Sequence, residues 1–239
     1  MKRWPVTADE LLAVQAELAA SWANAEVVRL PSAPIFGGCF LAFAQGQAGP
    51  GHAGDRGWAA AVAWRAQQGW GQLLGQSVVE GLAPAPYGAG MLALREAPLL
   101  AESLDGLAPW PDVLLVDATG RDHPRLAGLA LHLGAVLNLP TIGVTHRPLV
   151  ASGPMPAGAR RGDRSPLTLN GEVVGFWVCT RSRARPVVAH AAWRTTAALA
   201  VEVLLAASTE SARTAAPLQQ ARRLAREARS LHTRGASPP

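Results

Sequence analysis

The sequence predicts an α/β fold: a mixed sheet, with antiparallel first strands and parallel later ones, flanked by helices. Short β-branched or aliphatic runs alternate along the chain with longer segments whose apolar residues recur at helical spacing. An apolar run at 113–116, a helical segment and a second apolar run at 141–144 follow one another, and a crossover of that length joins parallel strands. Two earlier strand-like runs separated by a short polar turn add an antiparallel start.

The first half of the chain predicts a helix, a group of strands and a second helix. Thr7 and Glu10 have the spacing of a helix capping box, and an apolar face continues from there to Trp22. The Gly- and Pro-rich stretch 45–57 is a loop of the length that often has a function. The expected elements are a helix over 7–23, strands over 35–43, 58–64 and 73–79 with a turn at 67–69, and a helix over 91–104.

The second half predicts the parallel unit, a hairpin and two more helices. Pro124 suits the first turn of the crossover helix, and Asn138 suits its end. Asn170 and Gly171 between alternating apolar runs are a strong hairpin signal. Helices are expected over 195–207 and 217–231, and the chain divides into a domain over 1–212 and a basic C-terminal helix and tail over 213–239.

Length and composition indicate a globular protein with a sizeable core. Of the 239 residues, 49% are hydrophobic and 16% are charged. The N-terminus has no signal-peptide pattern and no apolar stretch reaches membrane-spanning length, so we expect a cytoplasmic protein with no membrane partner. Cys39 and Cys179 lie in apolar runs and are expected to be buried thiols rather than a disulfide or zinc ligands.

The charge balance favours a polyanionic partner. The net charge is +5, the pI is near 10.5, and Lys2 is the only lysine among the basic residues. A coding bias towards Arg and Ala is the alternative explanation. The arginines of the C-terminal helix likewise allow two interpretations, a solvated face on a packed helix or a nucleic-acid-binding helix.

Three segments, taken in order, resemble the endonuclease V family. They are PYGAGMLALRE at 86–96, LLVDATGRDHPRLAGLALHLGAVLNLPTIGV at 114–144, and LNGEVVGFWVCTR with the following RPVV at 169–188. With the N-terminal helix, the resemblance covers most of residues 7–208. It implies a ribonuclease-H-like fold and an enzyme that cleaves a phosphodiester near a deaminated purine such as inosine, in DNA repair or RNA processing.

The resemblance also implies a metal-dependent reacting centre. Glu96 and Asp117 match the family's carboxylates, and the ion would be Mg²⁺ or Mn²⁺, because hard ions prefer oxygen ligands. Asp117 also falls at the carboxyl end of a predicted parallel strand, where open α/β sheets place ligand sites. His123 matches the family's catalytic histidine. The structural alternatives are an exposed helix glutamate, a helix-capping aspartate and a helix-capping histidine.

A second group of residues is implied to bind the nucleic acid. Tyr87, the only tyrosine, matches the family's aromatic wedge, whose ring can replace lost base stacking; simple packing in a Gly/Pro turn is the alternative. The expected partner is DNA or RNA that contains a deaminated purine, bound by a monomer. The other residues that the resemblance assigns to nucleic-acid or base contacts are Gly88, Gly90, Arg125, His146 and Arg194.

Three positions depart from the family's pattern, and we expect all three in or near the reacting centre. Cys39 stands where the family has its first-strand aspartate, Trp193 where it has a histidine, and the 145–146 pair where it has a lysine. A thiol is a poor ligand for Mg²⁺, since it is soft and mostly protonated near neutral pH. Asp55 and Asp122 are the nearby carboxylates that we nominate as substitute ligands.

These departures leave three hypotheses about function. The first is a metal-dependent endonuclease that uses Glu96 and Asp117. The second is a catalytically impaired homologue, with metal binding weak or absent, that acts as a nucleic-acid or partner-binding module on the same fold. The third is a small-molecule enzyme that reuses the scaffold, because a fold does not determine a function.

Overall fold

One eight-stranded mixed sheet forms the centre of the molecule. The structure is a computed structural model that describes residues 4–45, 49–67 and 70–235. The strands are β1 Ile35–Phe43, β2 Arg56–Gln67, β3 Trp70–Leu82, β4 Val113–Val116, β5 Thr141–Thr145, β6 Arg164–Leu169, β7 Glu172–Val178 and β8 Val187–Ala191. Their order is β3-β2-β1-β4-β5-β8-β7-β6. The β1–β4 and β4–β5 pairs are parallel and the others antiparallel; the sequence predicts the antiparallel β2–β3 start, the parallel β4–β5 pair and the β6–β7 hairpin.

Among the described residues, five helices flank the sheet. They are α1 Ala8–Trp22, α2 Leu92–Asp105, α3 Leu129–Leu137, α4 Ala197–Ala206 and α5 Ala216–Gly235, and α1 packs on α2 and α3. Each was expected from the sequence. Three parts of those expectations, residues 46–48 of the long loop, the turn at 68–69 and residues 236–239 of the tail, lie outside the described residues.

The register of the central strands decides which helices each side chain meets. Cys39 of β1 and Val116 of β4 are partners in the parallel pair, and both belong to the core under α2 and α3. Phe36 and Leu115 lie in the opposite core, under α4 and the start of α5. Side chains alternate between the two faces of a strand, so Cys39 and Phe36, three residues apart, lie on opposite faces. Cys39 is on the face that α2 covers.

The crossover helix begins later than predicted. Pro124 is not in its first turn: α3 starts at Leu129, after an extended Gly128. Leu126 has a left-handed φ of 54°, and the amide of Gly128 bonds back to the carbonyl of Gly120, so the chain is looped before it becomes helical. The alternative that His123 caps the N-terminus of this helix is therefore excluded, because Gly128 is the N-cap. The predicted end is confirmed, since Asn138 is a left-handed C-cap with φ of 50°.

The C-terminal helix packs tightly on the strands that frame the site. Leu218 and Ala221 of α5 are 1% and 0% exposed, whereas Leu231 is 70% exposed, so the buried face ends before the point that the sequence indicated. A Cβ at Gly38 would lie 2.4 Å from the carbonyl carbon of Pro217, so the first turn of α5 approaches β1 only because position 38 is glycine. The division of the chain after residue 212 stays a prediction.

The described residues contain neither a disulfide nor a membrane-spanning helix. Cys39 and Cys179 are buried free thiols, as expected, and form no disulfide. Within the same ranges, the chain contains no helix with both the length and the apolar character needed to cross a membrane.

Candidate functional site

A cavity of about 290 Å³ lies where β1, β4 and α2 meet, and we call it the carboxylate pocket. Asp117 follows β4 directly, and Glu96 comes from the second turn of α2. The structure therefore brings together the two carboxylates that the sequence nominated as metal ligands, with Cys39 beside them. The lining residues are Cys39, Phe40, Leu41, Leu92, Glu96, Leu100, Val116, Asp117 and Leu129.

Glu96 is poorly hydrated in this pocket. Burial raises the pKa of its carboxyl group to about 7; the charge of Arg95 opposes that rise, and the negative charge of Asp117 adds to it. A large part of the Glu96 population is therefore protonated at neutral pH. A cation in the pocket would favour the ionised form.

Asp117 already has a cationic partner. The Nη2 atom of Arg222, on α5, lies 2.7 Å from Oδ2 of Asp117, and the two side chains are 23% and 27% exposed. The arginine therefore neutralises a carboxylate that the family resemblance assigns to a metal.

Cys39 adds no hard ligand. Its thiol is 1% exposed, and burial, with the charges of Asp117 and Glu96 adding to it, raises the pKa of the thiol far above its usual range. A protonated thiol is a poor ligand for Mg²⁺.

The donor set fits a divalent ion only in part. Over the ranges that the structure describes, no three His, Cys, Asp or Glu side chains are grouped to hold a metal. Two carboxylates on one pocket nevertheless give the oxygen donors that Mg²⁺ uses when waters and substrate phosphates complete its shell. The pair fits such an ion in chemistry, provided that Asp117 is released from Arg222.

A second cavity of about 290 Å³ adjoins the first, and we call it the Tyr87 pocket. The two cavities share three residues, Leu92, Asp117 and Leu129. Tyr87 is 49% exposed at its edge, so its ring is available to a ligand. The remaining lining residues are Gln15, Gly88, Gly90, Ala93, Ala118, Thr119, His123, Thr145, Arg147, Pro148 and Leu149.

Predicted site residues hold the turn that carries Tyr87. Gly90 has φ of 72°, and its carbonyl accepts hydrogen bonds from Arg125 Nη2 at 2.8 Å and Gln15 Nε2 at 3.2 Å. His123 Nδ1 accepts from the amide of Arg125 at 3.2 Å. Burial, with the charge of Arg125, lowers the pKa of His123 to about 4, so this imidazole is neutral at neutral pH. Arg125 and His123 thus support the wall of the Tyr87 pocket.

His146 belongs to a different, strongly basic cavity of about 430 Å³, lined by His146, Arg147, Arg185 and Arg213, which we call the basic pocket. Arg213 is held by hydrogen bonds from Nε and Nη2 to the carbonyls of Arg185 and Pro186, at 2.7 and 2.9 Å. Burial and the charge of Arg213 lower the pKa of His146, and the nearby Asp117 opposes them. The basic pocket therefore lies within electrostatic range of the carboxylate pocket.

Two predicted residues lie elsewhere. The amide of Trp193 donates to Thr141 Oγ1 at 3.1 Å, at the start of β5, whereas Asp117 follows the end of the parallel β4. Trp193 is thus at the opposite end of the sheet, and placing it at the reacting centre was wrong. Arg194 has φ of 54° and donates to the carbonyl of Glu26 at 3.3 Å. It lines none of the three pockets, and its assignment to the nucleic-acid site finds no support.

The nominated substitute carboxylates are bound to other groups. Asp55 is paired with Arg95 at 2.6 Å. Asp122 is fully buried and accepts hydrogen bonds from the amides of 149–151 at 2.7–2.8 Å. Neither lines the carboxylate pocket, so nominating them as replacement ligands was wrong.

Two features escaped the sequence reasoning. Arg222 reaches Asp117 from a helix 105 residues away in the chain, and no local spacing indicates that contact. A buried network also holds one wall of the Tyr87 pocket: His190 Nε2 lies 2.7 Å from Thr145 Oγ1, and His190 Nδ1 lies 3.6 Å from Asp122 Oδ2. Its members are far apart in sequence, and the pairing of β5 with β8 brings them together.

Comparisons with known proteins agree with this fold. The family profile described as Endonuclease V matches residues 36–223. The endonuclease V of Methanopyrus kandleri is 49% identical over 117 residues, 49% of this chain and 50% of that protein. The chain thus spans about half the length of that curated relative. The crystal structure of endonuclease V from Streptomyces avermitilis has a TM-score of 0.84 at 33% identity and covers 96% of both chains.

A more distant structure shows the same fold. Endonuclease V of Ciona intestinalis, crystallised with a 24mer DNA containing an inosine followed by a ribo-adenosine, has a TM-score of 0.70 at 18% identity and covers 92% of this chain and 96% of that one. The mixed sheet, with a carboxylate at the end of a parallel central strand and another on the helix above it, defines a ribonuclease-H-like protein. The profile match spans most of the chain. The chain belongs to the endonuclease V family.

Proposed function

We propose that this chain, acting as a monomer, binds DNA or RNA that carries a deaminated purine and hydrolyses a phosphodiester near that base. The observation that carries the proposal is the shared wall of the two cavities. Asp117 lines both the carboxylate pocket and the Tyr87 pocket, so a base held in one would place its backbone beside the other.

Base recognition is assigned to the Tyr87 pocket. A half-exposed aromatic ring at its edge can stack on a neighbouring base when the target base leaves the helix. Gly88 and Gly90 line that pocket, and a Cβ at Gly90 would lie 2.8 Å from Arg125 Nη2, so glycine at position 90 lets the guanidinium close on the turn. His123 and Arg125 act by fixing that turn.

The reacting centre is assigned to Glu96 and Asp117, which would hold Mg²⁺ or Mn²⁺. When bound there, such an ion orients water and neutralises charge that develops on the phosphate. Glu96 must lose its proton to serve as a ligand, and the pKa of about 7 permits this near neutral pH.

Binding of the nucleic-acid strand is assigned to the basic pocket. Its four basic side chains, His146 among them, lie within electrostatic range of Asp117, and arginine binds phosphate oxygens in a bidentate manner. The net charge of +5 supports a polyanionic substrate.

An incision assay tests the proposal. Strands of DNA and RNA, with or without a single inosine, are incubated with Mg²⁺, Mn²⁺ or EDTA. We expect a product cut near inosine only with a metal, and none from Glu96→Gln, while the control Glu102→Gln, at an exposed site on the same helix, cuts normally. The absence of inosine-dependent product under every condition contradicts the proposal.

The ion pair between Arg222 and Asp117, with Cys39 in place of a hard ligand, favours a second candidate, a binding module without cleavage. That candidate predicts inosine-selective binding in EDTA and no product with either metal. The same strands, measured by fluorescence anisotropy, separate the two functions.

A further inference from the structure

Arg222 is attached to the reacting centre by a contact that solvent can reach. Its Nη2 atom lies 2.7 Å from Asp117 Oδ2, with both side chains about a quarter exposed. Such a partly exposed ion pair is weaker than a fully buried one, because water can compete for both charges. The free-energy cost of moving the Arg222 guanidinium from Asp117 to a second anion is therefore modest.

The rest of the Arg222 side chain is placed for such an exchange. The guanidinium carbon lies 5.1 Å from the centre of the Phe40 ring, and Nε has no hydrogen-bond partner among the residues that the structure describes. Arg222 also lines an open groove of about 730 Å³ along α5. The side chain thus has the carboxylate pocket on one side and an open, arginine-rich surface on the other.

We propose that Arg222 is a phosphate-binding residue that exchanges partners. In the free protein it neutralises Asp117; in the complex it binds a phosphate oxygen of the strand and leaves Asp117 free for a divalent ion. Guanidinium groups match phosphate and carboxylate geometry equally well, so the exchange replaces one charge-assisted pair by another. This inference rests on the proposed function, since it needs a nucleic-acid substrate.

Two effects of opposite sign follow. Without nucleic acid, Arg222 competes with metal for Asp117 and weakens metal binding. Without metal, Arg222 contributes a phosphate contact and strengthens nucleic-acid binding. A residue that only stabilises the fold would affect both measurements in the same direction or neither.

The test uses the full chain and two measurements that need no turnover. Mn²⁺ alone is titrated by electron paramagnetic resonance, and an inosine-containing oligonucleotide is titrated by anisotropy in EDTA. For Arg222→Gln we expect Mn²⁺ binding about fivefold tighter. We expect oligonucleotide binding to weaken, with a slope of log affinity against log salt smaller by about 0.9 on a duplex. Arg222→Lys keeps a charge and should retain the weak Mn²⁺ binding.

Arg226→Gln is the matched control for the metal titration. Arg226 lies on the same helix, 5.8 Å from the same Phe40 ring, and lines the same groove, but its ring contact is not accompanied by an ion pair to Asp117. Its Mn²⁺ affinity should equal that of the natural protein. Mn²⁺ affinity that is unchanged or lower in Arg222→Gln, or undetectable in both proteins, overturns the exchange. If inosine-dependent incision persists in that case, the proposed function stands without it.

Discussion

Tyr87 is the residue on which base selectivity depends in the proposed function. Stacking of one aromatic ring on a base is worth about 1–3 kcal/mol, whereas phosphate contacts do not distinguish bases. Tyr87→Ala should therefore reduce the ratio of inosine to ordinary affinity more than it reduces general affinity. Anisotropy titrations with matched strands measure that ratio, and Tyr87→Phe should preserve it. Equal binding of both strands by the natural protein refutes the pocket assignment directly.

Substitutions at Cys39 distinguish a protein whose metal site is weakened from a protein that has no metal site. Cys39→Asp adds a third hard oxygen donor next to Glu96 and Asp117, at a position where an unneutralised carboxylate is costly. The variant should melt lower than the natural protein in EDTA, and Mn²⁺ should raise its melting temperature and its incision rate more than those of the natural protein. Cys39→Ser, neutral and of similar size, should show neither metal effect. Identical Mn²⁺ shifts for all three proteins would exclude metal binding through this position.

His132 makes the stability of the protein depend on pH. Burial lowers its pKa from 6.5 to about 4, and its ring stacks on Trp4 with centroids 5.4 Å apart. Below pH 6.5 the unfolded chain binds a proton at His132 that the folded chain does not bind. The contribution of His132 to the free energy of unfolding is therefore fully present above pH 6.5 and is lost as the pH falls towards 4. His132→Phe should reduce that fall by up to about 1.4 kcal/mol per pH unit.

Chemical denaturation at pH 8, 6 and 4.5 measures the effect. Glu96, whose pKa is raised to about 7, acts in the opposite direction, since its stabilising contribution is lost as the pH rises from 4.5 to 7. Because Glu96 is present in both proteins, its contribution cancels when the variant is compared with the natural protein. A constant difference in unfolding free energy at all three pH values would show that His132 titrates normally.

At the scale of elements, the close approach of α5 to β1 is a contact that tolerates no added side-chain atom at position 38. A Cβ at position 38 would meet the backbone of Pro217, which cannot rotate away as a side chain does. Gly38→Ala should cost about 1–3 kcal/mol of unfolding free energy, as overpacking usually does. Leu231→Ala, at the exposed far end of α5, is the control and should change it by less than about 0.5 kcal/mol. An unaltered melting curve for Gly38→Ala would mean that α5 is not held at this point.

Elements with a strong local signal were predictable from the sequence, and contacts between distant elements were not. Thr7 caps α1, and the turn at Asn170 closes the β6–β7 hairpin, because those signals lie in the segments themselves. The late start of α3 depends on a hydrogen bond to Gly120, which no periodicity shows. Glu96 and Asp117 came from the family resemblance, whereas Arg222 required the packing of a whole helix.

At the scale of the whole molecule, the proposed nucleic-acid binding should respond to salt through the exposed arginines. Arg185 is exposed in the basic pocket, beside the anchored Arg213. Arg185→Gln should reduce the slope of log affinity against log salt by about 0.9 on a duplex or about 0.7 on a single strand. Arg223→Gln is the control, because Arg223 pairs with Glu227 at 2.8 Å on the outer face of α5. Equal slopes for the natural protein and Arg185→Gln would remove the basic pocket from the path of the strand.

The wall shared by the two cavities has a consequence for how the protein can evolve. Leu92 and Leu129 line both the Tyr87 pocket and the carboxylate pocket, so one substitution at either position reshapes both. A lineage that widens the first cavity for a larger base therefore also shifts the surroundings of Glu96 and Asp117. In the proposed function, these two leucines therefore couple the range of bases that the protein accepts to the rate at which it cleaves.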